Sequence, residues 1–112
     1  MTNTSLTALI EQQLEVARAS SAGRSAKTVH GGHEHALRQT VLALLAGHEL
    51  GEHASPGEAT LQVLSGRVVL TSGDKSWRAE AGDFLPIPPE RHNLAAIDDS
   101  VVLLSVVVAA HT

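Results

Sequence analysis

Ala59-Thr60-Leu61-Gln62-Val63-Leu64-Ser65-Gly66-Arg67-Val68-Val69-Leu70-Thr71-Ser72-Gly73-Asp74 reads as two short apolar runs, each closed by a turn. Valine favours strands because its branched side chain fits a pleated, half-buried surface, and Ser-Gly and Gly-Asp steps suit tight reversals. The same rhythm extends both ways. Upstream, Leu37 to Ala46 reads as a strand stopped at Gly47. Downstream, Trp77 to Glu80, Phe84 to Ile87, Leu94 to Ile97 and Val101 to Val108 are parted by Gly82-Asp83, Pro88-Pro89 and Asp98-Asp99. Strands at this spacing with Gly, Pro and Asp turns predict an all-β fold, an antiparallel sandwich or barrel of roughly eight to ten strands. Ahead of them, Leu6, Leu9, Ile10, Leu14 and Ala17 recur at helical spacing with Glu11, Gln12, Gln13 and Glu15 opposite. That pattern predicts a short amphipathic helix from about Ser5 to about Ala19, ended by Ser20-Ser21-Ala22-Gly23 and packed on the barrel or on a second copy. The expected division is residues 1–28 as helix and connector and residues 29–112 as barrel.

Composition narrows the class. The 112 residues suit one domain. With one Trp, one Phe, one Met and no Tyr, the core must be built from Val, Leu, Ile and Ala. The net charge is −4, with eight scattered Lys and Arg residues, so no basic stripe or aromatic platform points to nucleic acid. No apolar run is long enough for a membrane helix; Val101 to Ala110 is broken by Ser105. The first residues lack the basic start of a signal peptide. No Cys is present, which removes disulfides, thiolate nucleophiles and cysteine zinc sites. A cytoplasmic location is the expectation. Val101 to Val108 would invite aggregation as an exposed edge, so it is expected inside the barrel or under a partner, and a homodimer is expected.

Two stretches carry more. The first is Gly47-His48-Glu49-Leu50-Gly51-Glu52-His53-Ala54-Ser55-Pro56-Gly57-Glu58-Ala59-Thr60-Leu61-Gln62-Val63-Leu64-Ser65-Gly66. The second is Gly82-Asp83-Phe84-Leu85-Pro86-Ile87-Pro88-Pro89-Glu90-Arg91-His92. Period-2 alternation would place His53 and Ser55 on one strand face, and His92, Leu94 and Ala96 on another. Gly47, His53 and Gly66, then Gly82 and Pro88, keep the intervals of the two motifs of the cupin superfamily, G-x5-H-x-H-x3,4-E-x6-G and G-x5-P-x-G-x2-H-x3-N. From about Leu37 to Val108 the chain thus resembles a small single-domain cupin of the RmlC-like type. The resemblance implies an antiparallel jelly-roll β-barrel, commonly dimeric, with a pocket inside.

In typical cupins two motif histidines, the glutamate and a later histidine hold a divalent metal. Here His53 fills the first position, Ser55 the second and Ala59 that of the glutamate. The last ligand is His92 or, at the strict spacing, Asn93, and Glu90 stands in place of the motif's glycine. Imidazole suits Zn, Fe, Mn or Ni, but zinc and iron sites generally use three or more protein ligands. His33 and His35 on one strand face, or Glu58 beside the empty carboxylate position, are the candidates for making up the set. The expected pocket lining is His53, Ser55, Ala59, Leu61, His92 and Leu94. Arg38, on a strand among apolar neighbours, could meet an anionic ligand or pair with Glu34. Three functions follow: a small-molecule-binding cupin with a divalent metal at His53 and His92, of oxygenase or isomerase type if an enzyme; a metal-free metabolite-binding or sensing module; or an interaction domain with a vestigial pocket.

Overall fold

The computed structural model describes residues 2–55 and 57–108, and it is built of one helix and eight strands. Helix α1 spans Leu6–Ala19, and the strands are β1 (Arg24–His30), β2 (Leu37–Leu44), β3 (Glu58–Ser65), β4 (Arg67–Ser72), β5 (Lys75–Glu80), β6 (Phe84–Pro86), β7 (Asn93–Ala96) and β8 (Ser100–Val107). They form a five-stranded sheet, β1-β2-β8-β3-β6, facing a three-stranded sheet, β5-β4-β7, with every pairing antiparallel. This is the all-β antiparallel architecture that the strand rhythm predicted, in the jelly-roll form that the resemblance implied.

Alternation along the central strands separates two apolar layers. On the inner side Leu61, Val63 and Val102 of the larger sheet meet Val68, Leu70, Ala79 and Leu94 of the smaller one. On the outer side Val41, Ala43 and Val101 pack under Leu9, Leu14 and Ala17 of the helix. The helix starts where Ser5 caps it, its hydroxyl accepting from the Ala8 N–H at 3.1 Å. Buried Gln13 is satisfied by Ser25, whose Oγ lies 2.9 Å from the Gln13 side-chain oxygen and 2.8 Å from its carbonyl.

Two expectations change here. The division between residues 28 and 29 falls inside β1, which pairs with β2 and lies in contact with α1, so helix and barrel share one hydrophobic structure. β1 itself carries little apolar signal because it is an edge strand with most residues exposed. In addition, β8 lies between β2 and β3, so neither of its edges is open and the edge-strand argument for a dimer falls away.

One turn shows why the strand rhythm needs its glycines. Gly66 joins β3 to β4 at φ +85°, and a Cβ there would run into Ser100 Oγ and the Asp99 carbonyl. Ser100 is buried and satisfied, its Oγ 2.7 Å from the Asp98 carbonyl and 2.9 Å from that of Arg67.

Candidate functional site: a histidine pair in an aliphatic cavity

Between β2 and β3 the chain runs over the end of the barrel and makes two isolated bridges, Glu49 with Ala95 of β7 and His53 with His92 just ahead of β7. In the second bridge each backbone N–H donates to the other residue's carbonyl, at 2.9 Å and 2.8 Å. The crossing segment is also held by Asn93, whose Oδ1 accepts from the Gly51 N–H at 2.9 Å. Asn93 is therefore a tether, and the histidine beside it carries the ring that faces the cavity.

The bridge stacks the two imidazoles edge to face, with ring centres 4.6 Å apart and planes at 64°. His92 is buried, and His53 is exposed at the rim. Each ring is oriented by its own backbone: Nδ1 of His53 lies 2.9 Å from the Gly51 carbonyl, and Nδ1 of His92 lies 2.8 Å from that of Glu90. A carbonyl oxygen only accepts, so in the neutral form of each ring the proton sits on Nδ1 and Nε2 is a lone-pair acceptor. Among the described residues no side chain or backbone group hydrogen-bonds to either Nε2.

The other lining groups are Leu42, Leu50, Leu61, Leu70, Ile87, Leu94 and Leu104, all aliphatic. The cavity volume is about 20 Å³, room for one water molecule. Four of the six residues expected in the pocket, His53, Leu61, His92 and Leu94, line it. Ser55 and Ala59 do not. Only a bridge, not a strand, forms at His53, so the alternation expected to carry Ser55 to the same face has no strand to act along. Ala59 is buried on β3 one pair closer to the strand start than Leu61. Leu42, Leu50, Leu70, Ile87 and Leu104 come from separate parts of the chain, so no local motif marked them.

The three further ligand candidates lie elsewhere. His33 and His35 sit in the turn between β1 and β2, not on a strand; His33 is exposed, and Nδ1 of His35 is 3.5 Å from Glu34. Glu58 begins β3 exposed, on the face opposite the buried Ala59, Leu61 and Val63. The pocket thus offers two imidazoles and no carboxylate, and among the described residues no group of three His, Asp or Glu side chains could hold a metal ion. These donors do not fit a resident divalent metal of the usual three or four protein ligands. Of the remaining sequence features, His48 is exposed, His111 lies outside the described residues, and Asp98 pairs with Arg67 at 2.6 Å.

Comparison with known proteins agrees with this architecture. No curated protein is similar enough in sequence to be counted a relative. Among solved structures, a conserved protein of unknown function from Streptococcus pyogenes superposes with TM-score 0.72 at 29% identity, covering 82% of this chain and 80% of that one. An RmlC-like cupin from Desulfovibrio desulfuricans gives 0.65 at 27%, covering 75% and 81%. A cupin superfamily protein from Desulfitobacterium hafniense gives 0.71 at 16%, covering 77% and 78%, which shows the fold alone. Residues 40–108 match the cupin domain family, a span that takes in β3 to β8, most of β2 and both motif stretches. With the two facing antiparallel sheets and the histidines at its mouth, that match makes this chain a member of the cupin family.

Proposed function

We propose that this cupin is a metal-free binding protein for a small, mainly apolar molecule carrying one hydrogen-bond donor, a hydroxyl or an amine N–H. The observation that carries the reading is the pair of Nε2 acceptors in an otherwise aliphatic cavity. Neither Nε2 is answered by a protein donor, so a ligand's donor can be accepted there while its hydrocarbon meets leucine and isoleucine. The volume admits the donor head alone, so the rest of the ligand enters as the segment around Leu50 and His53 yields. That segment is held by two bridges and the Asn93 tether rather than by a continuous ladder. No group in the cavity is placed as a nucleophile, so binding rather than turnover is the expected activity.

The test combines metal analysis with ligand screening. Protein purified without a metal-affinity tag is expected to contain less than a tenth of an equivalent of Zn, Fe, Mn or Ni, by the donor count above. Small alcohols and phenols are expected to raise its melting temperature, equally with and without chelator. About one metal per chain, lost in His53→Ala, would overturn this reading and restore the metal site implied by family resemblance.

A further inference from the structure

A second cleft lies at the β1–β2 end of the larger sheet. It shares no residue with the histidine cavity, has a volume of about 260 Å³ and is lined by Thr28, Gly31, Gly32, His33, Arg38 and Thr40. Thr28 and Thr40 are paired across β1 and β2, and Arg38 follows on the same face two residues from Thr40. The turn was built around the arginine. Gly31 has φ +117°, and a Cβ there would come within 2.9 Å of Arg38 Cα and Cγ, so only glycine lets the backbone lie against that stem.

Arg38 is half-buried and has no acidic partner among the described residues, whereas Arg18, Arg67 and Arg91 pair with Asp99, Asp98 and Glu52. Its Nε is the one buried side-chain polar atom among the described residues that lacks a hydrogen-bond partner. The carboxylate expected to answer it does not do so: Glu34 turns to His35. An unanswered guanidinium N–H beside two hydroxyls and a glycine turn is the composition of an oxyanion site, because every group there can donate.

We propose that this cleft binds the carboxylate of a small monoanionic molecule, with Arg38 as the main contact and Thr28 and Thr40 as further donors. Monoanion rather than phosphate follows from charge. The site holds one fixed positive charge, and Glu34 borders it, its Oε2 lying 3.3 Å from where a Cβ on Gly32 would be. A dianion would face that carboxylate with only one guanidinium to balance it.

The experiment is an amide NMR titration of the full chain with sodium propionate at constant ionic strength, repeated with inorganic phosphate. Saturable shifts are expected at Gly31, Gly32, Thr28 and Thr40, with His53 and His92 unmoved, which keeps this result separate from that of the histidine cavity. In folded Arg38→Gln the dissociation constant should rise at least about tenfold, the scale of one lost charge-assisted contact. Should that variant not fold, Thr40→Val is expected to weaken binding by about threefold on the scale of one neutral hydrogen bond. Absence of saturable shifts, equal affinity in the variant, or tighter binding of phosphate than of propionate would overturn the proposal.

Discussion

Leu61→Ala tests the histidine cavity most directly, because Leu61 is both a wall of that cavity and part of the core, at 2% exposure. The substitution removes three carbon groups, about 2.4 kcal/mol of transfer free energy at roughly 0.8 kcal/mol each. Space that fails to collapse adds about 24 cal/mol per Å³. Neighbours on both sheets, Val63 and Val102 on one and Leu70 and Leu94 on the other, are held by ladders and limit collapse. The total is about 3–5 kcal/mol, which for a domain of this size lowers the melting temperature by roughly 12–20 °C. The enlarged cavity then becomes a receptor. Benzene and phenol should both restore stability, by about 2.7 kcal/mol at a concentration one hundred times the dissociation constant. Phenol should bind more tightly than benzene by about 0.5–1.5 kcal/mol, since its hydroxyl meets an Nε2 acceptor. Urea unfolding gives the first number and calorimetric titration the second. A loss below about 1 kcal/mol would show that Leu61 is not packed as described. Equal affinity for benzene and phenol would refute Nε2 acceptors available to a ligand in the cavity.

Two further outcomes are expected. Gly66→Ala combines a left-handed backbone with a collision against Ser100 and Asp99, so urea unfolding should show a loss of at least about 2 kcal/mol, and a loss under about 0.5 kcal/mol would contradict the turn geometry. The Arg67 guanidinium, hydrogen-bonded to Asp98, holds that carboxyl below its ordinary value. A depressed folded-state pKa gives stability that is present above the unfolded value and is lost as pH falls through the folded one. Melting curves from neutral pH into the acid range should therefore lose stability less steeply in Asp98→Asn than in wild type. Because the pair is solvent-exposed the difference will be small, and a steeper acid loss in the variant would contradict the assigned direction.

How far the sequence could be read varied along the chain for physical reasons. Strands β2 to β8 and the helix were legible because each repeats its own period, with Gly, Pro, Asp or Ser at the ends. β1 was not legible, since an edge strand with exposed residues needs no apolar alternation. The turn carrying His33 and His35 was likewise read as strand because their two-residue spacing fits both conformations. At the site, His53 and His92 stood out by their motif intervals, and their meeting in one bridge bears on both at once.

From the sequence by itself came the fold class, the glycine turns and the aliphatic core, because these depend on local period and residue type, while the depletion of the metal-ligand set followed from the resemblance to the cupin motifs. Tertiary structure alone decided which face each ring nitrogen presents, which distant leucines close the cavity, that Asn93 is a tether, and that Arg38 meets no acid among the described residues. Apart from the ring nitrogens, which meet carbonyls two residues back, and Arg38, whose nearest acid in sequence turns to His35, those outcomes rest on contacts between residues tens of positions apart, set by sheet register and by the path of the segment over the barrel mouth. No local pattern encodes them.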